Sequence, residues 1–392
     1  MQNESDTISL EQIRALAAKH PAPFYVYSKI ALAERAAVLT GLQLPFGLTV
    51  RYAVKANPHP EIIRIFKDAG LSFDASSSYE AATLLGLGVA GNSISLSSQQ
   101  PAHNLSELIS EGVQFVATSM HQLELFAAAA PHGGKVALRV NAGMGAGQSN
   151  STTTAGHAAS FGLWHEYVLD ALAYARKHKL VINRLHTHIG SGADPAVWGK
   201  AIDTSLAIAE LMPDVTTLDM GGGYKVKRAE GEHEANMAHI ANVFSERLQA
   251  FAQKTGRQLH LEIEPGTWLV AHAGALVTEI VDIVDTGKDG FTFLRTNTGM
   301  NDFMRPTLYG AQHAIELIGE GGEPQPYIVV GHNCESSDVL TTAPGDPQNI
   351  QPRLLPHARI GDLLVVRDAG AYGASLRVKG YNAFPNAHEF LV

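Results

Sequence analysis

Lys55 is the side chain with the clearest reason to do covalent chemistry. It stands at the end of an apolar, β-branched run from Leu48 to Val54, where Asn57-Pro58 breaks the chain. Such a run reads as a buried strand. A lysine fixed at the carboxyl end of a buried strand is partly desolvated, which lowers the pKa of the amine and makes it a nucleophile toward a carbonyl. A lone lysine at a strand end is ordinarily just a surface lysine, so the case rests on what accompanies it. Gly221-Gly-Gly223 leaves backbone N–H groups open to an anion, and a helix is expected to follow it, which would make a phosphate cradle. Ser191 and Gly192 could add donors. Glu264, in Glu262-Ile-Glu-Pro-Gly266, would be a buried carboxylate that wants a cationic or N–H partner. His188, in the run His186-Thr-His-Ile-Gly-Ser-Gly192, could lie flat against a ring or carry a proton.

Something must bring these distant residues together. Apolar strand-like runs recur near 49–54, 71–74, 94–97, 114–118, 136–140, 182–188, 216–220 and 260–264. Helical patterns lie between them, as in 61–69 and 79–85. Eight strand-then-helix units predict an α/β fold, a parallel sheet closed into a (β/α)8 barrel, in preference to an open doubly wound sheet. Chemistry in such barrels sits at the carboxyl ends of the strands. Those ends carry Lys55, Asp74 with Glu80 beyond it, Ser97-Ser98, Arg139 with Asn141, His186 and His188, Asp219 with the three glycines, and Glu262 with Glu264. Asn141 leads into a Gly/Ser/Thr-rich loop from Gly143 to Gly156.

After about residue 268 the pattern changes to strand-like alternation at 275–285, 291–296, 327–331 and 363–367, separated by Gly, Pro, Asp and Asn turns. This predicts a second, mainly antiparallel β domain over 269–392, with the barrel over 28–268. The opening segment 1–27 is expected to join the β domain. It holds a helix over 8–20, capped by Ser9 with Gln12 three residues on, and a short strand Phe24–Tyr27.

Composition narrows the function. The 392 residues carry a net charge of −9 with no basic block, which argues against nucleic-acid partners and an anionic membrane surface. No apolar run is long enough for a membrane helix, and the N-terminus lacks the apolar core of a signal peptide. The single cysteine, Cys334, rules out a disulfide within the chain, and a soluble cytoplasmic protein is expected. The partner is then a small molecule. An amine, a phosphate cradle, a buried carboxylate and a histidine face suit one cofactor, pyridoxal 5′-phosphate, with its aldehyde, phosphate and ring nitrogen.

The motifs also resemble a known family, the fold-type III pyridoxal-phosphate-dependent decarboxylases of ornithine, diaminopimelate and arginine. The likeness runs over nearly the whole chain. It is carried by Tyr52-Ala-Val-Lys-Ala-Asn57, His188-Ile-Gly-Ser-Gly192, Gly221-Gly-Gly223, Glu264-Pro-Gly266, Arg305-Pro306 with Tyr309, Cys334-Glu-Ser336 with Asp338, and Gly370-Ala-Tyr-Gly373. Cys-Glu-Ser, Met-Arg-Pro-x-x-Tyr-Gly and the stretch from Asn141 to Phe161-Gly-Leu-Trp164 are most similar to the diaminopimelate decarboxylase branch.

The resemblance implies decarboxylation of an amino acid, most nearly meso-2,6-diaminopimelate to L-lysine and carbon dioxide. It implies that Lys55 bonds the cofactor's aldehyde and that His188 stacks on its ring. Ser191, Gly222, Gly223 and Tyr372 would hold the phosphate, and Glu264 would face the ring nitrogen. Asp74, Arg139 and Gly266 would complete the cofactor site. Arg305, Tyr309, Glu335 and Tyr372 would meet the substrate. Cys334 would donate a proton, with Lys55 or His188 sharing the work, and Cys334 and Glu335 would cross from a second subunit of a homodimer. An alanine-racemase-like enzyme would place arginine where Glu264 stands, and a pyridoxal-phosphate carrier would lack the β domain.

The sequence departs from the family at two places. Glu264-Pro-Gly266 is followed by Thr267 where the family usually has arginine. Tyr372 is followed by Gly-Ala-Ser-Leu-Arg-Val-Lys379, one residue longer than usual and with two new cations. Either Arg377 or Lys379 replaces the missing arginine, or the pocket is rebuilt for a related diamino acid or amino-acid conjugate of specialised metabolism.

Overall fold

The computed structural model describes residues 8–145 and 155–392. Most of the loop expected between Gly143 and Gly156 therefore lies outside the described residues, as does the start of the opening segment. The chain forms two compact units. One comprises residues 34–225 and 233–268, the other 8–33, 226–232 and 269–392.

The chain enters through β1 (Phe24–Tyr27), part of the second unit, and then builds the barrel. Its strands are β2 (Leu48–Ala53), β3 (Ser72–Ala75), β4 (Ile94–Leu96), β5 (Gln114–Ala117), β6 (Gly134–Asn141), β8 (Leu180–His186), β9 (Thr217–Asp219) and β10 (His260–Ile263), with a two-residue β7 (Leu163–Trp164) beside β6. All eight expected strands are present. The sheet runs β5-β4-β3-β2-β10-β9-β8-β6, and β5 pairs with β6 to close it. Every pairing is parallel, as in β2 with β3, where Tyr52 faces Phe73. Several of the helices between begin at side-chain caps. Ser77 accepts from Glu80 N, Ser119 from Gln122 N, and Asp194 from Ala196 N ahead of Pro195. The long helix Met237–Thr255 starts at Asn236 and stops at Gly256, whose φ of 72° is the left-handed conformation that glycine adopts without cost.

Apolar side chains usually fill the inside of such a barrel. Here one layer is charged. Arg51 makes a two-pronged contact with Glu262, at 2.8 Å for both Nε and Nη2. Arg184 sits 3.2 Å from Asp219 and 3.2 Å from Glu262. Both arginines donate to Gln114 Oε1 at 3.0 Å, and Arg184 also reaches Ser95. All four charged residues are buried. Sequence pattern does not reveal this layer, because an arginine inside an apolar run reads as an outward-facing residue.

The second unit is a sheet with β11 (Gly274–Asp285) at its centre. β1 pairs antiparallel with β11 and parallel with β19 (His388–Leu391). β12 (Thr292–Thr296) and β18 (Leu363–Val366) flank β11 antiparallel, and β13 (Ile315–Ile318) extends the β18 side. β14 (Gln325–Val330) runs parallel to β12 and antiparallel to β17 (Arg353–Leu355), while β15 (Thr342–Ala343) and β16 (Asp346–Ile350) pair only with each other. Ile8, Ile13, Phe24, Val26, Val277 and Val365 share one core. The helix Leu10–Ala17 lays Ile13 into it and starts at the expected capping box of Ser9 and Gln12.

The charged layer makes a direct prediction. Arg184→Ala leaves Asp219 and Glu262 buried with one cation fewer, which costs about 3–5 kcal/mol. Urea unfolding of wild type and variant measures it; a loss below about 1 kcal/mol would mean the layer is not held by charge pairing.

Candidate active site

β2 ends at Ala53, and the chain turns through a single 3-10 turn, Val54–Ala56. Tyr52 fixes the turn from below, its hydroxyl donating to Asn57 O at 2.8 Å. The Glu264-Pro-Gly266 segment clamps it from the side: Ala53 N donates to Pro265 O, and a Cβ on Gly266 would come within 2.9 Å of Ala56 Cβ. Only glycine permits that approach. Lys55 Nζ donates to Ser76 Oγ at 3.0 Å and lies 3.7 Å from Asp74 Oδ2. The expected desolvation of the amine is not found, since its side chain is 46% exposed. The 3-10 turn lifts Lys55 off the strand, and Val54 and Ala56 take the buried positions.

Glu264, His186 and Asp219 offer ligand atoms that all lie within 4.8 Å of one another. His186 Nε2 is 3.3 Å from Glu264 Oε2, while Glu264 Oε1 is buried with no hydrogen-bond partner among the described residues. Burial, with Asp74 nearby, pushes the Glu264 carboxyl up to about 7. Burial and Glu264 itself push Asp219 up to about 7. Two carboxyls this close hold a proton between them near neutrality. Burial drops His186 to about 4, so that imidazole is neutral and does not neutralise them. Arg184 and Lys55 pull the Glu264 carboxyl down only in part, so burial wins. Asp219 and His186 were visible at strand ends but carried no assigned role, because nothing in the sequence shows that three strands aim these side chains at one point.

His188 lies beside the glycines; a Cβ on Gly221 would fall 2.7 Å from its Nδ1. Burial, then Arg139 and Lys55, hold its pKa well below the usual imidazole value. Arg139, in β6, stacks its guanidinium 5.0 Å from the Phe161 ring and feels the field of Glu264, Asp74 and Asp219. Gly222 and Gly223 pass so close to other backbone that added Cβ atoms would come within 2.2 Å of Glu264 O and 1.7 Å of Gly190 O. Gly192 N donates to Gly223 O, which lays the Ser191 loop against the glycines. The helix expected directly after the glycines is absent. Tyr224 instead forms a bridge with Gly192, and the next helix starts at Met237. The cradle is thus loop backbone and not a helix N-terminus, since the bridge holds Tyr224 extended.

The remaining sequence-derived residues belong to the second unit. Cys334 and Glu335 are exposed. Asp338 organises their loop, accepting from Asn333 N at 2.9 Å and Met300 N at 2.6 Å. Cys334 N donates to Asn382 Oδ1 at 2.7 Å, and Glu335 accepts from Ser337. Tyr372 adopts φ 56°, rare for a non-glycine residue. Arg305, in a short helix with Tyr309, donates to His313 and feels the field of both tyrosines. Arg377 is committed elsewhere, 3.0 Å from Glu389 and over the Tyr25 ring, and Lys379 is exposed.

Bare glycine backbone, an amine and a buried carboxyl at the strand ends of one barrel match what pyridoxal phosphate requires of a protein. Residues 33–271 match the family described as the pyridoxal binding domain of pyridoxal-dependent decarboxylases. The chain belongs to that family, an enzyme whose cofactor is pyridoxal 5′-phosphate. Its relatives narrow the branch. Diaminopimelate decarboxylase of Streptomyces coelicolor is 31% identical over 97% of this chain and 87% of its own. A solved diaminopimelate decarboxylase superposes with a TM-score of 0.91 at 30% identity, covering 99% of this chain and 93% of that one. The Helicobacter pylori diaminopimelate decarboxylase, solved with L-lysine, gives 0.85 at 26%, covering 97% and 94%.

The carboxyl pair should be visible in the cofactor-free protein. Infrared difference spectra should show a protonated carboxyl lost as the pH rises through about 7, and Glu264→Gln should move the remaining Asp219 loss to lower pH by removing the neighbouring charge. A carboxyl already ionised at about pH 5 would refute the shared proton. The stability linkage has opposite signs for the two kinds of group. The raised carboxyls favour the folded chain below the ordinary carboxylate range and lose that contribution as pH rises through about 7. Neutral His186 favours it above the ordinary imidazole value and loses that contribution as pH falls to about 4.

Proposed function

We propose that this enzyme decarboxylates meso-2,6-diaminopimelate to L-lysine. The observation that carries the reading is the likeness to diaminopimelate decarboxylases along nearly the entire chain, with both the barrel and the β unit matched. Bound pyridoxal phosphate supplies an aldehyde for the amino acid's nitrogen and a ring that accepts the electron pair left when carbon dioxide departs.

This chain's residues then divide the work. Lys55 offers the amine that holds the cofactor, with Asp74 and Ser76 fixing Nζ. Gly222, Gly223, Ser191 and Tyr372 take the phosphate. His188 lies against the ring and is neutral, so it adds no competing charge. Glu264 would face the ring nitrogen, where its Oε1, buried without a hydrogen-bond partner among the described residues, would accept the ring N–H. Arg139 and Gly266 support this arrangement. Arg305, Tyr309 and Glu335 receive the distal end of the substrate, and Cys334 Sγ holds the proton delivered to carbon.

The assembly we propose is a cytoplasmic homodimer in which Cys334 and Glu335 of one copy complete the site of the other. Their exposure on a loop that Asp338 holds rigid supports this. No helix among the described residues is long and apolar enough to cross a membrane.

Carbon dioxide release should be measured with meso-diaminopimelate, D- and L-lysine, ornithine, arginine and carboxylated polyamines. Diaminopimelate should be turned over fastest; turnover of another substrate without it would sink the lysine-forming reading. Lys55→Ala should abolish the borohydride-trapped cofactor adduct. Sharing across the dimer has its own test. Inactive Lys55→Ala and Cys334→Ala proteins, unfolded and refolded together, should regain about a quarter of wild-type activity, because half of random dimers hold one intact site of two. A mixture that stays inactive argues that each chain builds its own site.

A further inference from the structure

The second unit brings two arginines close enough for the charge of one to act on the other. Arg228 lies in the 226–232 segment, which interrupts the barrel sequence between β9 and the helix Met237–Thr255. Its Nε reaches the Asp368 carbonyl at a long 3.4 Å, and its Nη2 is buried with no hydrogen-bond partner among the described residues. Arg305 donates from Nε to His313 Nε2 at 3.2 Å. His313 can accept there only as the neutral tautomer, since its Nδ1 faces the Arg367 carbonyl at 2.8 Å. Burial and then the Arg305 charge lower the Arg228 pKa, with Asp368 and Glu232 opposing them, and Tyr372 acts on both arginines.

The carboxylates nearby are already engaged. Glu232 accepts from the backbone N–H groups of Arg228 and Ala229 at 2.9 and 3.2 Å. The Asp368 carboxylate is 2.6 Å from His272 Nδ1. Arg228 lines a cavity of about 440 Å³, in which Arg367 is paired with Glu316. A buried guanidinium N–H without an acceptor is costly unless an oxyanion meets it.

The sequence gives a second, independent reason. Thr267 omits a cation that the motif ordinarily carries, Arg377 is spent on Glu389, and Lys379 is exposed. We propose that Arg228 is the replacement: an anion-binding residue that, with Arg305, takes an oxyanion of the ligand. The inference rests on the decarboxylase reading. The oxyanion is a carboxylate of the amino-acid substrate or the phosphate of the cofactor, and the two sources are separable.

Arg228→Gln and Arg228→Lys should be compared with wild type by three measurements. The first is affinity of the cofactor-free protein for pyridoxal phosphate and for pyridoxal, which lacks the phosphate. The second is KM and kcat for meso-diaminopimelate, or for whichever amino acid the wild type decarboxylates. The third is thermal unfolding without ligand. A carboxylate site gives a KM about 10- to 100-fold higher in Arg228→Gln, with unchanged cofactor affinity and partial rescue by lysine. A phosphate site instead weakens pyridoxal phosphate by a similar factor and leaves pyridoxal alone. Either way the ligand-free variant should unfold no earlier than wild type, because removing one of two adjacent cations relieves repulsion. Unchanged KM and unchanged cofactor affinity overturn the proposal. So does a Gln variant that unfolds earlier without ligand, which would make Arg228 a structural residue; if it fails to fold, a Lys variant with wild-type KM and cofactor affinity overturns it equally. Failure of the wild type to turn over diaminopimelate sinks the substrate reading alone, and the cofactor measurements still judge Arg228.

Discussion

The barrel is organised by the cost of holding carboxylates out of water. Glu262, Asp219 and Glu264 all project into its interior and all are buried. A buried carboxylate persists only with a cation, a set of N–H donors or a proton of its own. Arg51 and Arg184 meet the first need for Glu262, whose pKa is driven down to about 2 by the balance of these arginines over burial. Arg184 also reaches Asp219 and acts on Glu264, without offsetting the burial of either. The remaining charge is settled by a proton shared between Asp219 and Glu264. One layer of the barrel is therefore a closed ion-pair network, and Glu264 is left chemically unfinished. A folded chain tolerates that arrangement where a ligand completes it.

The second constraint is close backbone approach. The lysine-bearing turn, the Glu-Pro-Gly turn and the triple glycine pack backbone against backbone at distances that leave no room for a Cβ. This explains why such different motifs occur at separate strand ends. Gly266 lets the segment after Glu264 lie against Ala53 and Ala56, so the carboxyl and the lysine are positioned by the same contact. Gly222 and Gly223 do the same between Glu264 and Gly190. A shift in one strand end would be transmitted to the others through hard contacts rather than flexible side chains.

The β unit handles polarity differently. Asp338 is used as a structural acceptor. Its oxygens take N–H groups from Asn333 and Met300, and Gly299 and Gly331 leave space for them. That fixes the Cys334 loop while its side chains stay exposed. The guanidinium groups of Arg228 and Arg305 lack the reciprocal arrangement. Within one unit, the Asp338 carboxylate is saturated by its own loop, whereas Arg228 keeps a buried N–H with no acceptor among the described residues.

Much of the fold was legible in the sequence. Strands of a parallel barrel are buried on both faces and write continuous apolar runs, so all eight were evident, and the switch to alternating patterns after the barrel marked the β unit. The local chemistry of Lys55, the glycines and the Glu-Pro-Gly turn was also evident, because turn and strand-end residues act through their own backbone. Convergence was not. Arg51 and Arg184 read as ordinary strand residues, and Asp219 and His186 as neighbours of more interesting positions, because no local pattern records which side chains meet across a barrel. The same holds for Arg228. The sequence placed a lost cation at Thr267 and looked for its replacement in the nearest new basic residues, Arg377 and Lys379. Folding paired Arg377 with Glu389 and exposed Lys379, and it left Arg228 beside Arg305 with a buried, idle donor. Residue types and short-range spacing determined which chemistry this chain can do. Only the tertiary structure decided which charges are neutralised within the protein and which remain for a ligand, because that balance depends on distance and burial, neither of which is a property of the sequence order.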